Sequence, residues 1–594
     1  MSRAKAPAAD PSWWTLWPDL LADELKAFSD RGIAPTVVCQ QNGILILEVD
    51  WPVTGQADPM RLRIGFSPLH PFFRPAVAAP EQSFERHQNP FSKELCLLTQ
   101  ETGQWDSRQL VANFIHERLQ HLLSVLSARK EERWADAAKL EEHAPDPLMP
   151  YFSGATETDS VILFDGNVPL PSSGHGVMEI AYNARATAAQ RAGFEGVLRQ
   201  LSTSNGALIR RFALPYDPPD QQAVPGRWVK FTPPPVSDPL QLLHLAEQEL
   251  AKQAILQAVS VQRVNQAASN PLFVTGIVFP DEAVYRDGKK GVGWLFLVTR
   301  RDFQSGKTTT SLVRGERASK EDIFARLPVA NALADKKVLL VGCGAIGSFV
   351  GLELARAGVG QLSFLDFDIV EPGNSLRWPL GRTAWGRTKA AALADFVATN
   401  YPWTKANRYE GRLGAAVSDP ATLPPKESTH VLSPVLDAIQ GVDLVVDASA
   451  SFEVQLALAF HCRELNVPYV MGYATVGLAG GVVARFLPGS KSCLVCLQEH
   501  WKQGSIPLPR EDSSGMVTPV GCNAPTFTGG SFDLQEISLE IARSAVGLLS
   551  GGKYNAGDWD VAILSLQNGD GKRVLPAWQS FACPPHPNCC GMKQ

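Results

Sequence analysis

Val338-Leu339-Leu340-Val341-Gly342-Cys343-Gly344-Ala345-Ile346-Gly347 runs from four apolar residues through three spaced glycines into helical patterning, about Ala345 to Ala357. The apolar run reads as a buried strand. Each glycine then has a use in a dinucleotide-type turn: Gly342 for tightness, Gly344 so that a ligand can approach the backbone, Gly347 so that helix and strand pack closely. The helix that starts there offers its N-terminus to phosphate. Further strands are predicted at Leu362 to Leu365 and Leu444 to Val446, with a helix between them. Such alternation implies a mostly parallel sheet covered on both faces. Residues 326–594 are therefore expected to form a Rossmann-like α/β domain.

The chain has 594 residues, enough for three or four domains at roughly 150 residues each. Apolar residues make up 45% and charged ones 19%, which excludes an extended disordered chain. Lys and Arg number 55 against 60 Asp and Glu, a net charge of −5, and no basic run exceeds a pair, so neither nucleic acid nor an anionic membrane is expected as a partner. The uncharged stretch Leu465 to Ala484 holds Pro468 and four glycines, which suits two buried strands and a turn better than a membrane helix. The N-terminus MSRAKAPAADPSWW lacks the apolar core of a secretion signal, so a cytoplasmic protein is expected.

Residues 1–150 read as an α+β domain: a helix from Leu16 to Ser29, strands near 36–38, 44–49 and 60–65, a Pro-rich bend, and a long helix from about Ser107 to Arg129. Residues 151–325 read as an α+β linker domain with strands at 160–164, 176–182, 207–214, 272–278 and 293–298 and a helix near Leu240 to Gln257. Segment 215–235 contains seven prolines and is expected to be a loop.

After the second strand of the α/β region come Leu365-Asp366-Phe367-Asp368-Ile369-Val370-Glu371, Asn374-Ser375-Leu376-Arg377 and Gly386-Arg387-Thr388-Lys389-Ala390. A nicotinamide dinucleotide needs one acid for its ribose but has no use for the later Arg and Lys. A triphosphate does: Arg377 and Lys389 would stabilise the charge that builds when a carboxylate attacks the α-phosphate. The three motifs together resemble the ThiF/MoeB/ubiquitin-activating superfamily, whose members adenylate the C-terminal glycine of a protein substrate. The resemblance implies ATP and Mg2+ as cofactors, Asp366 on the ribose, Asn374, Arg377 and Lys389 on the phosphates, and a homodimer in which Arg326 reaches toward the neighbouring subunit's phosphates. The family often carries D-[CA]-[ST]-D with its last Asp on magnesium; here Asp447-Ala448-Ser449 is followed by Ala450, which leaves the metal to Asp447 or Asp368.

Cys493-Leu494-Val495-Cys496 and the C-terminal Cys583, Cys589 and Cys590 suit a tetrahedral structural Zn2+ that ties distant loops together in a reducing compartment. Which two of the last three serve, or whether His586 replaces one, is left open by the sequence. Cys522, in Val520-Gly521-Cys522-Asn523-Ala524-Pro525 ahead of a helix predicted over 533–549, is a candidate nucleophile, because a helix N-terminus favours the thiolate. In ubiquitin-activating relatives a loop cysteine in this part takes the acyl group as a thioester. Cys343 and Cys462 read as buried packing residues.

His87-Gln88-Asn89-Pro90, then Leu95-Cys96-Leu97, then Trp105 ahead of a long helix resemble the ubiquitin-conjugating signature, with Gln88 where that family has Pro. By that resemblance Cys96 accepts a thioester, Asn89 donates to the oxyanion, and His87 shapes the loop. A conjugating module ahead of an activating one resembles the bacterial fusion enzymes of antiphage CBASS operons. The implied activity is ligation of the C-terminus of a cGAS/DncV-like nucleotidyltransferase to an amine on an unknown acceptor. The other readings are an adenylating enzyme for a ubiquitin-like or sulfur-carrier protein, an NAD-dependent oxidoreductase, and a scaffold with degenerate sites; a scaffold needs none of Cys96, Arg377, Lys389 and Cys522.

Overall fold

A computed structural model of the chain describes residues 12–589 apart from 55–56, 99–104, 132, 141–145, 167–170, 184–192, 213, 215–220, 253–271, 283–290, 302–305, 412, 415–432, 514–515 and 518–525. The chain divides into two compact units, Met1–Ser319 and Lys320–Gln594.

In the first unit a short helical turn, Trp13–Leu16, leads into helix α1 (Pro18–Ser29), whose Pro18 stands in the first turn, where a missing N–H costs nothing. An antiparallel meander follows: β1 (Thr36–Gln41), β2 (Ile44–Trp51), β3 (Met60–Phe66) and β4 (Ala76–Ala78). Side chains alternate in β2 and β3, so Leu45, Leu47, Val49, Leu62 and Ile64 share one buried core. Helix α2 (Val111–Lys130) packs Phe114, Ile115 and Leu119 into it, each contributing about 1.5–3 kcal/mol by burial.

The rest of this unit is a barrel. Its strands are β5 (Thr156–Phe164), β6 (His175–Asn183), β7 (Glu195–Ser202), β8 (Leu208–Arg211), β9 (Gln221–Lys230), β10 (Leu272–Asp281), β11 (Gly291–Arg301) and β12 (Thr308–Arg317). They pair in the order β5-β12-β11-β10-β9-β6-β7-β8, and β7 also pairs back to β5, which closes the ring. Trp228, Trp294, Phe296 and Phe194 belong to one buried cluster. Helix α3 (Pro239–Lys252) packs Leu242, Ala246 and Leu250 into a second cluster with Ile277 and Leu295.

The loop expected over 215–235 is corrected here, because its middle is strand β9. Pro225 is tolerated because the pairing to β10 starts only at Gly226, so on that side no ladder donor is missing. Strands β7 and β12 were not expected from the sequence either.

The second unit is α/β. Strands β13 (Lys337–Val341), β14 (Gln361–Leu365), β15 (Lys405–Tyr409), β16 (Leu444–Asp447) and β17 (Tyr469–Ala474) are parallel in the order β15-β14-β13-β16-β17. Antiparallel β18 (Gly480–Phe486), β19 (Val561–Gln567) and β20 (Arg573–Phe581) extend the sheet. Helices α4 (Gly347–Arg356), α5 (Lys389–Asn400), α6 (Phe452–Glu464), α7 (Leu494–Gln503) and α8 (Ser531–Leu549) connect or cover these strands. Cys343 and Cys462 are buried, as expected. Among the described residues no helix is long and apolar enough to cross a membrane.

Candidate functional site

In an open doubly wound sheet, ligands bind beyond the carboxyl ends of the strands where the winding reverses, here between β13 and β16. Gly342 follows β13 with φ +82°, and a Cβ there would lie 2.6 Å from Ser449 Cα. At Gly347 a Cβ would lie 1.8 Å from the Gly342 carbonyl oxygen, so only glycine lets the turn close. Asp366, at the end of β14, fastens this turn: its Oδ2 accepts the Cys343 N–H at 2.6 Å and its Oδ1 the Asp368 N–H at 2.8 Å. Burial pushes the Asp366 carboxyl up, against those two donors. Each oxygen keeps a second lone pair that a ribose hydroxyl can use.

A cavity of about 220 Å3 opens over the turn and brings together Gly344, Asn374, Arg377, Lys389, Ser449 and Ala450. The short helical turn Pro372–Leu376 holds Asn374, whose Oδ1 accepts the Glu371 N–H at 3.0 Å. Lys389 opens α5 and is ion-paired to Asp368. A cation at a helix N-terminus faces the positive end of the dipole, so local helix stability does not explain it. Sequence reasoning missed Trp378, which lines the same cavity and donates its indole N–H to the Cys343 carbonyl at 2.8 Å.

Asp447 was expected to contact the nucleotide or its magnesium. It is fully buried, with Oδ1 on the Ser449 N–H and Oδ2 on the Tyr469 hydroxyl, both at 2.8 Å. Its carboxylate shapes the Ser449 turn and does not line the cavity. Ala450 does line it, with φ +54°. Arg326 is exposed on its own unit's surface.

In the first unit, Cys96 is half-buried and its N–H donates to the His87 carbonyl at 2.8 Å. Its sulfur lies 3.3 Å from the Tyr151 hydroxyl, which donates to Asp146 Oδ1 at 3.2 Å. The other oxygen of Asp146 accepts the His87 backbone N–H at 2.7 Å. Burial pushes the Cys96 thiol up while the Tyr151 hydrogen bond pulls it down. Gln88, the departure from the conjugating signature, has a structural use: its side chain accepts from Phe84 N at 2.8 Å and donates to the Ala79 and Lys93 carbonyls. Asn89 Oδ1 accepts the Phe91 and Ser92 N–H groups, which leaves its amide N–H2 as the donor end. Tyr151 and Asp146 were not singled out in the sequence, and the expected boundary at residue 150 separates them.

The sulfur atoms of Cys493, Cys496 and Cys589 lie within 4.8 Å of one another. Cys493 caps α7, Cys496 sits in its first turn, and the His586 N–H points at the Cys496 sulfur at 3.4 Å. Burial opposes ionisation of Cys496, but N–H and S–H donors from His586, Cys493 and Cys589 outweigh it and lower the thiol. Three thiolates in this arrangement fit a tetrahedral metal. Cys583, expected among the ligands, stands outside this group; burial and the neighbouring negative groups hold its thiol up at about 12. Cys522 and Cys590 lie outside the described residues.

Residues 321–526 match the ThiF family. Over 596 aligned residues the chain is 46% identical to the protein y4oA of Sinorhizobium fredii, covering all of both chains. It is 27% identical over 213 residues to the sulfur carrier protein ThiS adenylyltransferase of Bacillus subtilis, covering 36% of this chain and 58% of that one. It is 30% identical over 227 residues to the ATP-dependent ubiquitin transferase-like protein Cap2 of Enterobacter hormaechei, covering 38% of this chain and 34% of that one.

Proposed function

The chain belongs to the same family as y4oA and carries a ThiF-family stretch; from that premise we propose that it is an ATP-dependent enzyme that adenylates the C-terminal glycine of a protein and ligates it to an amine. The observation that carries this reading is the convergence of Gly344, Asn374, Arg377 and Lys389 on one cavity at the winding reversal. Backbone N–H groups and the two cations would hold the triphosphate while the substrate carboxylate attacks the α-phosphorus and pyrophosphate leaves. Asp366 would take the ribose, and the half-buried Asp368, the partner of Lys389, is the carboxylate suited to Mg2+.

The acyl group would then pass to Cys522, displacing AMP, and on to Cys96 by thioester exchange, with Asn89 donating to the oxyanion as an amine attacks. A thioester preserves the reactivity that ATP supplied. The likeness to the ubiquitin transferase-like Cap2 supports the ligating step. The resemblance of the Cys96 and Gly342 to Lys389 motifs to the CBASS fusion enzymes is the ground for taking a cGAS/DncV-like nucleotidyltransferase as the substrate, in antiphage defence, with a homodimer as the working form. The likeness to the ThiS adenylyltransferase favours a second reading, in which the substrate is a small ubiquitin-like or sulfur-carrier protein.

Pyrophosphate exchange tests the adenylation step. With Mg2+, ATP and a protein ending in glycine, label from pyrophosphate is expected to enter ATP at a rate that depends on that protein. A rate no higher than with ATP alone across candidate proteins of both classes would overturn the reading.

The three-cysteine group is assigned to structural zinc. About one zinc per chain is expected by elemental analysis. Cys496→Ser should drop the content to near zero and lower the melting temperature, since the metal ties α7 to the chain after β20. Full zinc content in that variant would remove Cys496 from the site.

A further inference from the structure

Tyr151 lies within hydrogen-bonding distance of both the Cys96 sulfur, at 3.3 Å, and Asp146 Oδ1, at 3.2 Å. A hydroxyl has one proton to give, so it can serve one of the two at a time. While sulfur carries a proton, the S–H can donate to Tyr151 and Tyr151 to Asp146. Once sulfur is an anion it no longer donates, and the Tyr151 O–H can turn to it as a charged acceptor.

The pair is held from the barrel side. The Asp146 N–H donates to Glu282 Oε2 at 2.9 Å, and Glu282 pairs with Arg86 at 2.6 Å, both side chains nearly buried. The neighbouring Asp281, at the end of β10, accepts the Leu148 N–H at 2.7 Å. The segment carrying Asp146 and Tyr151 is thus fixed at residues 146 and 148 before the hydroxyl meets the sulfur.

Resting on the conjugating role given to Cys96 above, we propose that Tyr151 is a catalytic donor to the Cys96 sulfur and that Asp146, anchored to the barrel by Glu282, is the competing acceptor that holds the Tyr151 hydroxyl while the thiol is protonated. When an acyl group arrives, Cys96 gives its proton to water and its thiolate attacks the thioester carbonyl. The new S–C bond forms as the donor's S–C bond breaks, and the donor sulfur leaves with the electron pair. When an amine attacks the Cys96 thioester, the S–C bond breaks, the pair returns to Cys96, and the amine proton goes to solvent. In both steps the Tyr151 O–H turns from Asp146 to the anionic sulfur. The charged groups around the thiol divide: Arg74 favours the anion, whereas Asp146 and Glu94 oppose it. The ring of His87 lies 3.6 Å from Asp146.

The two residues are therefore expected to act in opposite directions, which a packing role would not produce. The test is the pH profile of iodoacetamide modification of Cys96 in the full chain, followed by peptide mass spectrometry. Tyr151→Phe removes the donor and should move the profile to higher pH, slowing modification about tenfold at a pH below the midpoint. Asp146→Asn removes the opposing charge and the competing acceptor but keeps an oxygen for the His87 N–H; it should move the profile to lower pH. An unchanged profile in Tyr151→Phe, or shifts of the same sign in both variants, would overturn the proposal. This readout needs neither ATP nor a protein substrate, so a Cys96 that never carries an acyl group would sink the conjugating role while leaving the profile to decide on Tyr151.

Discussion

Lys389→Ala and Arg377→Ala are each expected to reduce substrate-dependent pyrophosphate exchange by ~10²–10³-fold, the usual loss when one preorganised charge-stabilising donor is removed. Both side chains line the cavity beside Gly344. Neither change should unfold the protein. Lys389 stands at the start of α5, where removing a cation relieves repulsion with the helix dipole, offsetting the loss of its pairing with Asp368. Arg377 is only partly buried, so its truncation leaves no cavity in the core. The melting temperature should stay within a few degrees of the parent while exchange collapses. Exchange within about threefold of the parent in both variants would show that the triphosphate does not sit where the glycines and these cations meet.

The second large effect is at Cys96. Cys96→Ala should eliminate the reducible adduct at this position and the final amide product, yet leave pyrophosphate exchange within about twofold, because adenylation uses none of the groups near Cys96. Stability should change little, since the thiol is half-buried and alanine removes one sulfur atom. A variant that retains full product formation would transfer the chemistry to a pathway without Cys96, as the sulfur-carrier reading requires. Conversely, loss of exchange together with the adduct would mean that the two activities are not separable.

The cavity over the glycine turn was legible in the sequence because its parts are local. A strand end, a glycine turn and the two segments after the next strand all emerge at one edge of a parallel sheet, where β13 and β14 are direct neighbours. Asp447 closes β16 at that same edge, and only the structure shows the Tyr469 hydroxyl and the Ser449 N–H on its carboxylate. The barrel was read poorly because many of its strands are buried on both faces and lose the alternation that marks a half-exposed strand. The missed strand β7 buries Gly196, Val197 and Leu198 in a row and then Leu201 and Ser202, with no alternation. Pro225 inside β9 also disguised a strand as a loop. Tyr151 lies 55 residues from Cys96 in a stretch with no periodicity, so no spacing rule links the two. Gln88 read as a departure from a motif, and only its three hydrogen bonds show that the loop is built around it.

The most direct test is intact-mass and non-reducing gel analysis of the purified chain mixed with ATP, Mg2+ and a cGAS/DncV-like nucleotidyltransferase bearing its native C-terminus. The account predicts a thiol-reducible adduct whose mass is the sum of the two proteins less one water, with the linkage mapped to Cys96. Pyrophosphate exchange with no adduct on any cysteine, for this substrate and for ubiquitin-like ones, would contradict it.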